Sequence, residues 1–134
     1  MTVAPATLVT LVTGGRAGAR EALIASALEQ APDSAVILEG LADGGAALAG
    51  WPAAHAPDGA PGVRIVRIAP GCLCCAGNLI LRVTLNRLLR HPPARLFISL
   101  ADAGHVAQLR LWLGGAPYAA LLRLGPDRQV DAVV

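Results

Sequence analysis

Residues 6–30, "ATLVTLVTGGRAGAREALIASALEQ", contain the pattern that decides the fold. Their first part is an apolar, β-branched run that ends at Gly14-Gly15, as a buried strand does. From residue 19 onward the apolar positions recur at helical spacing, which predicts a helix over 19–30. A strand, a glycine turn and a helix in this order are typical of an α/β protein.

The same alternation of strands and helices continues along the chain. Further strands are predicted over 34–40, 63–69 and 94–100, further helices over 78–91 and 103–114, a short helix or strand near 117–124, and a last strand over 129–134. The Gly-, Ala- and Pro-rich residues 41–62 predict a loop with a short helical piece.

This alternation predicts one domain over residues 1–134, with a three-layer α/β fold. We expect a mostly parallel sheet with helices on both faces. Residues 6–13 and 94–99 should be central strands because they are the most uniformly apolar. Residues 63–69 combine apolar positions with Arg64 and Arg67, and we expect a strand with one exposed face.

Composition limits the partners that the chain can have. Hydrophobic residues make up 54% of the chain and charged residues 15%, which suits buried parallel strands. A net charge of +2 is too small to indicate nucleic acid or an anionic membrane as a partner. No export signal or membrane-spanning stretch is apparent, so we expect a cytoplasmic protein without a disulfide framework.

The glycine turn has the spacing of a phosphate-binding loop, G-x-x-x-x-G-K-[ST], with its working residues replaced. Ala19 adds a Cβ atom where the backbone should close on phosphate. Arg20 stands at the lysine position with a bulkier, planar cation, and Glu21 places a carboxylate where a hydroxyl should hold Mg²⁺. The candidate phosphate contacts are Gly14, Gly15, Gly18 and Arg20. A glycine turn without a ligand is the alternative, and Mg-nucleotide binding is not expected.

All three cysteines of the chain lie in "GCLCC", residues 71–75. Cys72, Cys74 and Cys75 place three soft donors within reach of one metal ion, and such donors suit Zn²⁺ or Cu(I). A structural zinc site needs four ligands, so the fourth must come from water, another side chain or a partner chain. The side chains considered for this position are His55, His91, His105 and Glu39. The alternative is three small buried cysteines in a turn.

Several other charged residues have ordinary explanations. Asp102 precedes the predicted helix that begins near residue 103 and fits its N-cap. His91 at a helix C-terminus fits a favourable interaction with the helix dipole. The arginines at 82, 87, 90 and 95 predict a basic, solvated surface. No Ser/His/Asp arrangement indicates a hydrolase.

The chain resembles the CobW/HypB/UreG family of P-loop GTPases, and within it the CobW-like metallochaperones. Those proteins carry a G-C-x-C-C motif between a strand and a helix, as in "IAPGCLCCAGNLILRVTLNRLLR" here. "TGGRAGAREALI" corresponds to their T-G-[FY]-L-G-[AS]-G-K-T-T-L-[IL] loop, and "LFISLADAGHVAQL" resembles their I-E-x-[ST]-G-L-A-D-P-x-x-V segment. "RQVDAVV" resembles the strand that follows, so the resemblance covers nearly the whole chain.

The departures from the family pattern concern its nucleotide chemistry. The Glu and Gly that come before "LAD" in the family have no counterparts in "FISLAD", where Ile98 and Ser99 stand instead. The guanine-reading N-K-x-D motif and the C-terminal domain also have no counterpart. The resemblance therefore implies a degenerate, truncated member that keeps the metal motif and lacks GTP hydrolysis. It would act as a metal carrier or regulator, with a client metalloprotein or a second chain that supplies a metal ligand.

Two rival functions stay open at this point. One is a working NTPase that uses Arg20 in place of the lysine. The other is an interaction module whose cysteines are inherited but not used.

Overall fold

The computed structural model describes residues 6–31, 33–40, 63–68, 79–101, 103–115 and 117–130 of the 134-residue chain. The described strands are β1 (Thr7–Thr13), β2 (Ser34–Glu39), β3 (Arg64–Ile68), β4 (Arg95–Ser99), β5 (Leu122–Leu124) and β6 (Arg128–Gln129). The described α-helices are α1 (Ala17–Leu28), α2 (Leu79–Leu88) and α3 (Val106–Leu113). Short 3₁₀ helices, Ala103–His105 and Tyr118–Ala120, precede α3 and β5.

The strands form one sheet in the order β3-β2-β4-β1-β5, and β6 pairs with β1 beyond the end of β5. Every pair of strands is parallel. The predicted parallel sheet is therefore confirmed, and β1 and β4 are its central strands. They take these places because their apolar residues are buried on both faces of the sheet.

Helices cover both faces of the sheet and give a three-layer α/β fold. On one face, Ile24 and Leu28 of α1 belong to a buried cluster with Val12, Val36 and Phe97. On the other face, α2 and α3 contribute to a second cluster. Its helical members are Leu81, Leu85, Leu88, Leu109 and Leu113, and its strand members include Leu11, Ile37 and Ile98. Strand side chains alternate between the two clusters, as the two-residue period of a strand requires.

Helix α1 begins at Ala17 and ends at Leu28, so the predicted range of 19–30 is displaced by two residues at each end. Arg16 is the N-cap residue, and its side chain makes no capping hydrogen bond. No Ser, Thr, Asp or Asn marks this helix start in the sequence, so the prediction had no capping signal to use. The earlier start matters because it shortens the loop between β1 and α1.

The prediction that β3 has one exposed face is wrong. Arg64 and Arg67 are three residues apart, so they lie on opposite faces of the strand. Arg64 donates hydrogen bonds to the carbonyl oxygens of Leu88 (3.3 Å) and His91 (2.6 Å), at the C-terminal end of α2. A guanidinium group at this helix end satisfies free carbonyl groups and complements the helix dipole. Arg64 is therefore a cation at this helix end that the sequence did not indicate, while the expected dipole interaction of His91 stays a prediction.

Residues 117–124, predicted as either a helix or a strand, contain one of each: a 3₁₀ helix and β5. Tyr118 anchors this segment, because its hydroxyl donates a hydrogen bond to Oδ1 of Asn86 (3.2 Å) and its ring packs against Trp112. Burial raises the pKa of Tyr118, and the guanidinium of Arg82 acts in the opposite direction. The phenol therefore stays protonated at neutral pH and remains a hydrogen-bond donor.

The last predicted strand, 129–134, lies partly outside the described residues, and its described part is β6. Within the described ranges, no helix combines the length and the apolar character needed to cross a bilayer.

Candidate functional site

The candidate site lies at the carboxyl ends of β1 and β4, two neighbouring strands. The chain leaves β1 through α1 on one face of the sheet, and it leaves β4 through α3 on the other face. Connections that diverge from adjacent parallel strands open a crevice, and ligands of α/β proteins bind at such a point. Residues 14–20 and 99–101 surround this position.

Arg20 is the central side chain of the site. It is only 5% exposed, and its Nε donates a hydrogen bond to Oγ of Ser99 at 2.8 Å. Its Nη1 donates to the carbonyl oxygens of Gly14 (3.2 Å) and Gly15 (3.0 Å). The guanidinium therefore joins the first turn of α1 to the end of β4 and to the glycine turn.

The glycine turn presents acceptors to this cation. A phosphate-binding loop works in the opposite sense, because its backbone N–H groups point at the anion. Here the carbonyl groups of Gly14 and Gly15 face Arg20, and the N–H of Arg20 donates to the carbonyl oxygen of Arg16 (3.1 Å) within α1. Gly18 lies inside the first turn of α1. The candidate phosphate contacts are thus brought together, but around an internal cation.

The turn is also closed on its other side by residues 129–130. Gly14 and Gly15 have positive φ angles of 83° and 59°, which L-residues with side chains rarely adopt. The N–H of Val130 donates to the carbonyl oxygen of Thr13 at 2.7 Å, so the chain after β6 lies directly over the turn. A Cβ atom on Gly14 would collide with the carbonyl oxygen of Val130.

We expect Gly14→Ala to lower the free energy of unfolding by about 2–3 kcal/mol, because it combines a left-handed backbone with a backbone collision. Gly115→Ala is the matched control. It has no positive φ, and its added Cβ would meet the carbonyl oxygen of Trp112 at an ordinary 3.6 Å. We expect that control to change stability by no more than about 0.5 kcal/mol. Urea unfolding measures both values, and equal stabilities of the two variants would contradict the described turn.

Glu21 is buried and forms an ion pair with Arg67, with 3.1 Å between Oε1 and Nη2. Arg67 also donates to the carbonyl oxygen of Gly40 at 3.2 Å. Because α1 begins at Ala17, Glu21 lies in its second turn and not at the position of a first-turn anion. Its carboxylate fixes α1 to the ends of β2 and β3.

Glu39, the last residue of β2, was a candidate fourth metal ligand. It is buried, and its Oε1 accepts a hydrogen bond from the N–H of Ala101 at 2.9 Å. Glu39 is opposite Ile68, the last residue of β3, in the parallel register. This carboxylate therefore joins the ends of β2 and β4, next to the strand that leads into the cysteine segment.

Cys72, Cys74 and Cys75 lie outside the described residues, as do His55 and Asp102. The two described histidines are far apart in the fold. His91 is exposed beyond the end of α2, and His105 is half-buried at the end of the 3₁₀ helix before α3. Among the described residues, no three His, Cys, Asp or Glu side chains come together as a metal site. The metal ligands thus remain predictions from the sequence.

Sequence reasoning missed the roles of Arg67 and Ser99. Arg67 stands at the end of a predicted strand, so a position at the carboxyl edge could have been anticipated. Its pairing with Glu21, 46 residues earlier, carries no local signal. Comparison of the chain with protein-family models, with curated proteins and with solved structures finds no match.

Proposed function

We propose that this protein is a CobW-like domain that binds a thiophilic metal ion through Cys72, Cys74 and Cys75 and has lost GTP binding and hydrolysis. It acts as a metal carrier or as a regulator of a client metalloprotein. The fourth ligand comes from water, from one of the candidate side chains or from a partner chain. The proposal infers metal binding from the resemblance of this chain to the CobW-like metallochaperones.

The chemistry of the cysteine donors supports the metal-binding part. Thiolates are soft ligands that prefer Zn²⁺ and Cu(I), and three of them occur within four consecutive positions. They belong to residues 69–78, which connect the carboxyl end of β3 to α2. Ligands of parallel α/β proteins bind outside the carboxyl ends of strands, so this connection is a suitable place for a metal site.

The observation that carries the loss of nucleotide chemistry is the position of Arg20. Its guanidinium donates three hydrogen bonds to groups of the protein itself. Two departures from the family pattern also meet here, because Arg20 stands at the lysine position and Ser99 replaces a residue of the switch segment. The two replacing residues are hydrogen-bonded to each other, so each one satisfies a polar group of the other. An internal cation thus lies where a phosphate group would need free N–H donors.

The rival function, an NTPase that uses Arg20, requires this side chain to leave Ser99, Gly14 and Gly15. The carbonyl oxygens of Gly14 and Gly15 would then have to turn away and give their places to N–H groups. Glu21 would also have to leave Arg67 in order to meet Mg²⁺. Such a rearrangement is costly, since buried polar groups that lose their partners destabilise a protein by about 1–3 kcal/mol each.

We therefore expect no saturable binding of Mg-GTP or Mg-ATP at micromolar concentrations and no hydrolysis of either nucleotide. Isothermal titration calorimetry of the full chain, with a phosphate-release assay beside it, measures both. Arg20 and Glu21 stand in place of the lysine and the Mg²⁺-binding hydroxyl, and charge-assisted contacts contribute about 1.5–3 kcal/mol each. Micromolar, saturable binding of either nucleotide would favour the NTPase rival instead.

The interaction-module rival makes a different prediction. It expects neither nucleotide nor metal binding, so a chain that fails to bind zinc as well as nucleotide would favour it. Metal titration and nucleotide titration together separate the three functions.

A further inference from the structure

A groove of about 380 Å³ lies between α1 and the sheet face that α1 covers. We call it the α1 groove, and its lining residues are Leu23, Ser26, Ala27, Gln30, Arg95 and Arg128. Leu23, Ser26 and Ala27 form one face of α1, and Gln30, two residues beyond the end of the helix, continues the same spacing. A volume of this size is within the range of small-molecule sites.

Arginines dominate the sheet side of the α1 groove. Arg95 lies on the same face of β4 as Phe97, which packs against α1. Arg123 lies between Leu122 and Leu124, which pack on the opposite face, so it belongs to the α1 side as well. In the register of the sheet, Leu8 of β1 is opposite both Arg95 and Arg123. These two arginines therefore flank Leu8 on adjacent strands.

These three arginine side chains have no partner among the described residues. In the part of the chain that the structure describes, the side chains of Arg95, Arg123 and Arg128 form no hydrogen bond or ion pair. The prediction that Arg95 shares a surface with the arginines of α2 is wrong, because α2 lies on the other side of the sheet. By contrast, the described arginines Arg20, Arg64, Arg67 and Arg110 have acceptors within the protein.

No described carboxylate lines the groove or forms an ion pair with these arginines. Asp33 accepts a hydrogen bond from the N–H of Ala94, next to Arg95, at 3.2 Å. Asp127, next to Arg128, forms an ion pair with Arg110 at 2.7 Å. Glu29 is exposed at the end of α1 and does not line the groove. An excess of positive charge within a concave surface attracts anions.

We propose that the α1 groove binds a small organic polyanion that carries at least two phosphate or carboxylate groups. The planar guanidinium groups of Arg95 and Arg128 match such oxoanions in geometry and charge. Ser26 and Gln30 provide polar contacts, while Leu23 and Ala27 provide an apolar wall for the carbon skeleton. Arg20 does not line this site, and the inference is independent of the proposed metal function.

Titration calorimetry with pyrophosphate and with citrate, at low salt and without Mg²⁺, tests this site on the full chain. We expect saturable binding of at least one of them with a Kd of about 1 mM or below. Arg128→Ala and Arg95→Ala should each weaken binding by about tenfold or more. Arg128 is exposed on a two-residue strand, so its replacement leaves the core intact. Pyrophosphate and citrate distinguish a phosphate ligand from a carboxylate ligand.

Arg90→Ala is the matched control, because Arg90 is an exposed arginine beyond the end of α2. It should bind like the unmodified protein, and so should a variant with all three cysteines changed to serine. Absence of saturable binding, or equal losses in Arg90→Ala and Arg128→Ala, would overturn the proposal. Binding that is unchanged in both Arg128→Ala and Arg95→Ala would overturn it as well.

Discussion

Replacing Arg20 by alanine should lower the free energy of unfolding by about 3–5 kcal/mol, because the side chain is buried and its polar partners would lose their donor. The guanidinium is buried and donates hydrogen bonds to Ser99, Gly14 and Gly15. Truncation leaves a buried hydroxyl and two buried or half-buried carbonyl groups without this donor. It also removes a long side chain that fills the space between α1, the glycine turn and β4.

Urea unfolding of Arg20→Ala and of the control Arg16→Ala measures this effect. Arg16 is an exposed arginine of the same loop, and its side chain forms no capping hydrogen bond. We expect Arg16→Ala to change stability by no more than about 0.5 kcal/mol. Arg20→Lys keeps the charge but not the planar fork, so it should fall between the two. A loss below about 1 kcal/mol for Arg20→Ala would mean that Arg20 is not a structural cation.

The general architecture could be predicted because it depends on local patterns. β1 and β4 are among the most apolar strands, which favours central positions, and alternating strands and helices favour a parallel sheet with both faces covered. The prediction of one exposed face on β3 was wrong, because a shift of one residue in spacing moves a side chain to the opposite face of a strand. Arg64 and Arg67 show this directly, since each meets a different layer.

The contacts of the candidate site could not be predicted in the same way. Arg20 and Ser99 are 79 residues apart, and only the parallel register of β1 and β4 brings Ser99 to the glycine turn. The sequence indicated that both positions depart from a nucleotide-binding pattern. It did not indicate that the Arg20 guanidinium would be buried, because its burial depends on an acceptor at the end of β4, Oγ of Ser99.

The other large effect concerns metal binding. Changing Cys72, Cys74 and Cys75 together to serine should weaken zinc binding by about 100-fold or more, since a hydroxyl neither ionises at neutral pH nor binds a soft cation well. The described residues do not assemble another group of three possible ligands, so no described site should replace the lost thiolates. Zinc should in turn stabilise the folded chain and raise its Tm, because metal binding is coupled to folding.

The controls for this variant are three single substitutions outside the cysteine segment. They are Ser26→Ala, Ser34→Ala and Ser99→Ala. None of these positions holds a thiol, so zinc affinity should stay within about threefold of that of the unmodified chain, even where stability falls. Loss of zinc binding in these variants would indicate that folding, and not the thiolates, controls the affinity.

The zinc content of the purified chain is the measurement that tests the central claim most directly. Elemental analysis after purification without chelator, with thiol titration beside it, should find about one zinc ion per unmodified chain. Zinc addition and desalting before the analysis ensure that metal lost during purification is restored. The triple cysteine variant, treated in the same way, should retain none. Equal zinc in the two proteins, or an unmodified chain that retains no zinc after addition, would contradict the account.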